Sequence, residues 1–412
     1  MKIDKLISVF AAIFIAVYII LPKSVAIHNR QISTDIMIGV IFILFLIKYL
    51  FNKNNRNQFR NQVYDFCHDK LSILFIIVML IMFVSIFYSK EKTLALSETL
   101  RFLSYVLLMF LVKYNLSEDK KVRGMFRILV LSIFAICLCG IYQHFTGFAL
   151  SKEFIENYEF GAKNRIAISF GNPNSISAFL LLFIFPIIMV AIETKNVKHK
   201  ISLGIVVGLM VVNIIMTYSR NAWVALAIGI AILAFVRTWK FIIAYILIGI
   251  ASLKVPAIYK RIGDFFNMDQ NVSRLKHWKV AILMIKDHPL FGVGNGNYIS
   301  NYGEYIKKHP ELDYANLQRF PSHNSYLKII SELGIIGGIP FILLLIICTI
   351  KIKYNLKFIN DKIIKSYFLG FFVSAICFLI MNFVDNLFFV PKVAIWFWLM
   401  FAVCEGLVYT QK

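Results

Sequence analysis

Long apolar runs alternate with short polar connections along almost the whole chain. A helix that crosses a bilayer needs about 20 mostly apolar residues. The pattern predicts an all-α, polytopic membrane protein in which residues 1–412 form a single transmembrane domain. We place about twelve spans, at approximately residues 6–22, 34–51, 71–89, 94–113, 124–143, 175–192, 201–217, 221–236, 239–254, 325–350, 366–383 and 391–409.

The first apolar run has the charge pattern of a signal peptide, because Lys2 and Lys5 precede an apolar stretch from Leu6 to Leu21. A signal peptide ends in a small-residue cleavage site of the Ala-x-Ala type. No such site follows this run, and an entire membrane domain does. We therefore interpret it as the first transmembrane span.

Lysine and arginine mark one set of connections, which the positive-inside rule assigns to the cytoplasm. The opposite short connections carry far fewer basic residues, so both termini are predicted to be cytoplasmic. The basic connections are Asn52–Lys70, Tyr114–Arg123, Glu193–Lys200, Arg237–Lys240 and Lys351–Lys365.

Two longer connections depart from this alternation of spans and short connections, and both fall on the predicted outer side. One covers residues 144–174, and the other is a large extracytoplasmic loop over residues 254–324. Loops longer than about 12–15 residues are uncommon unless they carry function. The larger loop is rich in aromatic residues, and Leu275–Ile285 within it has a helical pattern. We expect the chemistry on the extracytoplasmic face.

The composition agrees with a membrane protein and excludes other classes. Hydrophobic residues make up 59% of the chain and charged residues only 16%, against roughly 25% charged in soluble domains. The net charge of +22 lies in clusters between apolar runs, where it sets topology and contacts lipid headgroups. No nucleic-acid partner is therefore inferred. The six cysteines have no Cys-x-x-Cys spacing, which argues against a zinc site.

Three arginines on the predicted outer face could bind a diphosphate together. Arg220 lies in a minimal turn between two apolar runs, where its guanidinium either reaches a lipid phosphate or acts as an anion clamp. Arg165 and Arg274 lie in the two long connections. Because no Asp-x-Asp pair accompanies them, we expect cationic stabilisation without a metal ion.

His323 directly precedes the tenth predicted span, in the stretch Pro321-Ser322-His323-Asn324-Ser325-Tyr326. An imidazole with a pKa near 6.5 can act as a base at neutral pH, and it could take a proton from a sugar hydroxyl. The simpler interpretation is a capping or hydrogen-bonded structural histidine. The arginines that are expected to converge nearby favour the base.

Other polar residues are candidates for supporting roles. Glu332 lies inside a predicted span, where a carboxylate is costly and most often paired or functional, and we expect it to orient a loop or partner. Asp385 and Asn386 precede the last span on the predicted outer side and could bind sugar hydroxyls, although a solvated loop is the simpler interpretation. The glycines of the segment 292–297 lack the strand and helix of a nucleotide-binding loop and indicate a tight turn.

Several motifs together resemble the shared core of the O-antigen ligase and O-antigen polymerase superfamily. They occur in a fixed order over about residues 165–338 and on one predicted side of the membrane. The motifs are Gly171-Asn172-Pro173-Asn174, Ser219-Arg220-Asn221-Ala222-Trp223, Arg274 with Trp278, Asp287-His288-Pro289-Leu290-Phe291-Gly292-Val293-Gly294-Asn295-Gly296-Asn297, and Pro321-Ser322-His323-Asn324-Ser325-Tyr326-Leu327 with Glu332-Leu333-Gly334.

This resemblance implies a membrane glycosyltransferase of the GT-C type, which acts on an undecaprenyl-diphosphate-linked glycan outside the cytoplasmic (inner) membrane. It implies an inverting reaction without nucleotide, metal or other cofactor, and a glycan or glycolipid as acceptor. By the same resemblance His323 is the catalytic base, and the diphosphate is bound by Arg220, Arg274 and Arg165. Supporting roles fall to Asn172, Asn174, Asn324, Tyr326 and Glu332.

The sequence leaves two questions of function open. Polymerisation of a surface polysaccharide is weakly favoured over ligation to lipid, wall or protein. A lipid-linked glycan flippase or another transporter would also use arginines in a membrane cavity. We see no inverted repeat of the kind on which many transporters are built.

Overall fold

The computed structural model describes residues 2–21, 39–40, 42–45, 47–49, 53–150, 154–155, 159–160, 163–237, 243, 246, 250, 254, 259, 263, 268–314 and 316–411. Helices dominate these residues, as the hydropathy pattern predicts. They are α1 (Lys2–Ile20), α2 (Lys53–His68), α3 (Lys70–Tyr88), α4 (Lys92–Asn115), α5 (Asp119–Thr146), α6 (Pro173–Glu193), α7 (Val197–Met216), α8 (Arg220–Val236), α9 (Met268–Asp287), α10 (Tyr298–Lys308), α11 (Ser325–Asn355), α12 (Lys362–Met381) and α13 (Pro391–Gln411). A two-residue antiparallel pair joins β1 (Glu159–Phe160) to β2 (Lys163–Asn164).

Eight helices of the described residues are long and apolar enough to cross a membrane, namely α3 to α7 and α11 to α13. Each overlaps one of the predicted spans. Two further predicted spans correspond to shorter apolar helices, Val9–Ile20 and Arg220–Val236. Of the predicted span at 239–254 only residues 243, 246, 250 and 254 are described, and of that at 34–51 only residues 39–40, 42–45 and 47–49. A multi-pass helical membrane protein is therefore confirmed, while the number twelve stays a prediction.

The centre of the bundle is formed by α6 and α13. Every side chain from Ser175 to Ile187 is buried, and so is every side chain from residue 392 to residue 407. Helix α12 packs closely on α6, because Gly370 has no side chain where a Cβ would lie 2.4 Å from the Phe185 carbonyl oxygen. The Ser374 hydroxyl donates to the Leu181 carbonyl (2.8 Å), which adds a polar contact to this packing.

The basic connections gather at one end of the bundle, which we call the lysine-rich end. Lys351 lies 2.6 Å from Glu405 and 3.7 Å from Asp69, so the ends of α11 and α13 contact the start of α3. Lys113 at the end of α4 bonds Asp65 (3.3 Å). These contacts match the alternation predicted from the Lys/Arg bias, since they join connections assigned to the same side.

The described part of the large loop is folded around its own small core. Val280, Ala281 and Met284 of α9 pack against Tyr298 and Tyr302 of α10. The helical pattern predicted for Leu275–Ile285 is confirmed, and the helix extends beyond it at both ends. Helix α10 was not predicted, because its 11 residues fall well short of a membrane span, although apolar residues recur along it at helical spacing.

A break in α11 attaches this loop to the bundle. Gly334 has φ 62° and ψ −168° inside the helix, which releases backbone carbonyls from helical hydrogen bonding. Two of them accept from the glycine-rich segment, Ser331 from Val293 N–H (2.9 Å) and Glu332 from Gly294 N–H (2.8 Å). A Cβ on Gly334 would lie 2.1 Å from the Leu290 carbonyl oxygen. The glycines therefore serve a close backbone approach, as a turn rather than as a nucleotide site.

Candidate functional site

Three segments that are distant in sequence meet at the end of the bundle opposite the lysine-rich end. They are the start of α6, the residues before α11, and the connection between α12 and α13. Asn174 donates through Nδ2 to Asp385 Oδ2 (2.7 Å), and Asp385 Oδ1 lies 3.8 Å from His323 Nδ1. That separation is an ion-pair distance, and it is longer than a hydrogen bond.

His323 is held by its backbone, while its side chain remains partly open. Its φ is 49°, in the left-handed region, which few non-glycine residues adopt and which often marks a functional position. Its carbonyl accepts from Trp278 Nε1 (3.4 Å). The imidazole is 30% exposed, so a substrate can reach it.

The residues beside His323 fix the start of α11 against the last connection. Asn324 is the N-cap, and its Oδ1 accepts from the N–H groups of Tyr326 and Leu327 (3.0 Å each). Ser325 bonds Asn382 through Oγ (2.6 Å). The Tyr326 hydroxyl donates to Leu379 O (2.7 Å). The hydrogen bonds of Asn324 and Tyr326 are thus structural, and they would position His323.

The electrostatics around Asp385 favour an ionised carboxylate. Burial alone would raise the pKa of Asp385. His323, the Asn386 N–H and the positive charge of Arg274 outweigh burial and hold the pKa below its ordinary value. An ionised carboxylate at this distance attracts a positive charge on the imidazole. The pair can therefore stabilise the positive charge that His323 gains when it accepts a proton.

Asp385 is a site residue that the sequence analysis did not select. The expectation of a solvated loop is wrong, because the side chain is only 13% exposed and bonds Asn174. Its signal in the sequence is weak, since Asp385 and Asn386 stand alone between two apolar runs. Their position on the same predicted side as His323 was the only indication of a shared site.

The three arginines differ in how firmly the structure connects them to His323. Arg274 is close enough to Asp385 to lower its pKa. Arg220 opens α8, and its neighbour Asn221 donates to Met381 O (3.0 Å), close in sequence to Asp385. Arg165 is buried, and its Nε donates to Thr217 O (2.7 Å), which holds the turn before Arg220. Binding of a diphosphate by these arginines stays a prediction.

Asn172 and Glu332 stabilise the chain around the site. Asn172 is the N-cap of α6 and accepts from Asn174 N–H (2.8 Å). Glu332 is fully buried and accepts from the N–H groups of Gly296 (3.0 Å) and Tyr298 (3.1 Å). Lys328 lies 2.5 Å from the Glu332 carboxylate. Glu332 therefore holds the glycine-rich segment against α11.

No group of three or more His, Cys, Asp or Glu side chains suited to a metal ion occurs in the part of the chain that the structure describes. This arrangement of side chains does not test whether the reaction needs a metal ion, so metal independence stays an expectation.

Apolar helices of spanning length and a polar site at one end define a multi-pass membrane protein. Residues 205–342 match the family model described as O-antigen ligase, which confirms the predicted resemblance to the O-antigen ligase and polymerase superfamily. The matched segment contains Arg220, Arg274 and His323. This match supports a glycan-processing function in the membrane.

One similar curated protein is an uncharacterized protein of Haemophilus influenzae, which is 25% identical over 234 residues. The match covers 52% of this chain and 57% of the relative. The chain thus spans little more than half the length of that protein. Its name assigns no activity, so this match adds a relative without adding a function.

Proposed function

We propose that the protein transfers a glycan from an undecaprenyl diphosphate carrier to a hydroxyl group of a second glycan or glycolipid. The observation that carries this proposal is the approach of His323, Asp385 and Arg274 at one end of an apolar helical bundle. A base and a cation beside a membrane surface are what such a transfer requires. The family match over residues 205–342 supports the same chemistry.

In the proposed reaction His323 takes the proton of the acceptor hydroxyl. The hydroxyl oxygen forms a bond to the anomeric carbon as the bond from that carbon to the phosphate oxygen breaks. Direct attack inverts the anomeric configuration. Asp385 stabilises the imidazolium, as the carboxylate does in a Ser-His-Asp triad. Asn174 in turn holds the second oxygen of Asp385.

The leaving group in this reaction is the polyprenyl diphosphate. Its negative charge grows as the glycosidic bond breaks, and preorganised cations stabilise such charge. We assign this role to Arg274 and Arg220, whose planar guanidinium groups can bind phosphate oxygens in pairs. Arg165 would support Arg220 through the Thr217 turn. The diphosphate bond supplies the driving force, so no nucleotide is needed.

The charge distribution supports an orientation in the membrane. Basic connections lie at the end opposite His323, and such connections remain in the cytoplasm by the positive-inside rule. We therefore propose that His323 lies at the extracytoplasmic face of the cytoplasmic membrane. Donor lipid and acceptor glycan would meet there.

The test is an assay of the purified protein with a lipid-linked glycan and an acceptor, without nucleotide and without added metal. We expect a covalent glycan product and free polyprenyl diphosphate. A ladder of lengths would indicate a polymerase, and a single transfer would indicate a ligase. Movement of the intact lipid-linked glycan across vesicles, without a covalent product, would instead favour the flippase and contradict the proposal.

A further inference from the structure

A second histidine lies behind His323 and has no evident role in the proposed reaction. His277 of α9 is 1% exposed, and its ring centroid lies 5.9 Å from that of His323. Neither ring nitrogen of His277 has a hydrogen-bond partner within the described part of the chain. Buried polar atoms are nearly always hydrogen-bonded, so such an atom calls for a specific explanation.

The unpaired atoms form a connected series rather than isolated defects. Five buried side-chain atoms that have no hydrogen-bond partner in the described residues belong to His277, Tyr302, Asp313 and His323. The rings of His277 and Tyr302 are 5.8 Å apart, and Asp313 is close enough to raise the pKa of Tyr302. The series begins at the exposed ring of His323 and ends at Asp313, which is partly exposed.

We propose that His277, Tyr302 and Asp313, joined by ordered water, form the path by which the proton taken up by His323 leaves for solvent. This inference rests on the proposed function, because it needs His323 to act as a base. After the glycosidic bond to the acceptor has formed, the His323 ring gives up its extra proton. His277 accepts that proton at one ring nitrogen as its other nitrogen releases one, through water, to the Tyr302 hydroxyl. The hydroxyl in turn passes its own proton, through water and Asp313, to solvent. His323 is thereby returned to its neutral form.

Spacing and charge state suit this transfer. The ring centroids of His277 and His323 are 5.9 Å apart, which is close enough for one water molecule to bridge a nitrogen of each ring. Burial first, and then the positive charges of His323, Arg274 and Lys276, lower the pKa of His277 to about 4. The ring is therefore neutral at pH 7, with one donor and one acceptor nitrogen.

The surroundings hold His277 in place without occupying its nitrogens. Phe320 stacks on the ring with centroids 4.4 Å apart, and the His277 carbonyl accepts from the Tyr298 hydroxyl (2.9 Å). The titratable groups that face His277 are Arg274 and Lys276 on its own helix, Tyr302 on α10, and Tyr314 and His323 on the connections beside it.

The first test measures transfer kinetics in the full-length protein. His277→Phe keeps the ring and its packing but removes both nitrogens. We expect kcat to fall roughly 10-fold, which is less than the loss of a full general base, while KM for the donor stays unchanged. The difference between wild type and variant should shrink towards pH 4, where His277 itself becomes protonated and can no longer accept a proton. The matched control is His288→Phe, because His288 is exposed in the same loop.

A rescue experiment separates proton transfer from packing. In His277→Ala, added imidazole should restore kcat, whereas pyrrole, a ring of the same size without a basic nitrogen, should not. Equal rescue by the two compounds, or wild-type kcat and pH profile in His277→Phe, would overturn the inference. A variant whose activity is restored by added imidazole must be folded, so misfolding cannot explain its loss of activity.

A measurement independent of activity keeps the two proposals apart. Exchange of the imidazole C2 proton in D2O, followed for each histidine by mass spectrometry, should proceed at His277 because a proton path requires contact with water. If wild-type protein makes no glycan product but His277 exchanges, the glycosyl-transfer proposal fails and the water connection stands. If product forms while His277 does not exchange within days, the relay alone is refuted.

Discussion

At the scale of single residues, the proposed chemistry depends on the charge of Asp385. Its carboxylate is buried, receives a hydrogen bond from Asn174, and lies 3.8 Å from His323. Because its pKa is held below the ordinary value, the ionised form contributes stability above about pH 4. That contribution is lost as the pH falls through the lowered pKa. Throughout the neutral range the negative charge remains available to His323.

Asp385→Asn tests this dependence with little change in shape. The amide can still accept from Asn174, but it cannot stabilise an imidazolium. We expect kcat for glycan transfer to fall by at least about 10-fold, with little effect on KM for the donor. Steady-state kinetics on purified protein would measure both. An unchanged kcat would show that Asp385 only packs against His323.

His323→Ala tests the base itself. We expect a loss of about 10²–10⁴-fold in rate, with the protein still present in the membrane and the lipid-linked glycan accumulating. His288→Ala serves as the control, since it removes an exposed histidine of the same loop. Normal glycan output from the His323 variant would refute the assignment.

The sequence allowed part of this site to be predicted. His323 and the arginines are recognisable because a charged or titratable side chain beside an apolar run is costly and therefore informative. Asp385 was missed because a single acidic residue in a short connection has the same local pattern whether it is solvated or buried. Only the packing of α6 against α12 brings Asn174 to it.

At the scale of elements, the break in α11 determines where the large loop attaches. Hydropathy predicted one continuous span over 325–350, because Gly334 lies within an apolar run and a break leaves no change in polarity. The φ of 62° at Gly334 and the backbone contacts with Leu290 depend on the partner segment. The sequence pattern therefore predicts the helix but does not predict its break at Gly334.

Gly334→Ala should destabilise the protein strongly. Essentially only glycine adopts the φ of 62° and ψ of −168° found here, and a side chain in such a conformation costs about 1–3 kcal/mol. Its Cβ would also lie 2.1 Å from a backbone oxygen. We expect a lower melting temperature in detergent. Gly208→Ala is the comparison, because a Cβ there meets nothing within 4 Å, and alanine favours a helix. Equal melting temperatures would contradict the role of the break.

The small core of α9 and α10 should respond to acid through His277. Its pKa is about 4 in the folded protein and near 6.5 when unfolded. The stability due to the neutral ring is complete above about pH 6.5 and is lost towards pH 4, by about 3 kcal/mol. Thermal melting across this range should therefore show a smaller acid effect in His277→Phe than in His288→Phe. The same acid effect in both variants would argue against a neutral buried imidazole.

At the scale of the whole molecule, the segregation of basic connections predicts which end faces the cytoplasm. Cys67 is exposed near the lysine-rich end, and Gln318 is exposed in the large loop. A membrane-impermeant maleimide should label Gln318→Cys in intact cells, in a Cys67→Ser background. It should label native Cys67 only after the membrane is permeabilised. The reverse pattern would invert the proposed topology.

The general architecture could be predicted because the membrane imposes apolar runs on the sequence. The order of packing could not, since α13 is enclosed while α7, whose hydropathy is similar, lies largely at the periphery. Hydropathy separates spans from connections, but it does not distinguish a helix that faces lipid from one that faces other helices.

The enclosed position of α13 has a consequence for biogenesis. Trp396, Phe397 and Trp398 fill the centre of the bundle, yet they belong to the last of the described helices to leave the ribosome. Until that helix inserts, fatty acyl chains must occupy the space that its aromatic rings later take. Packing of the bundle centre is therefore an exchange of lipid for protein, which occurs only after α13 has been translated.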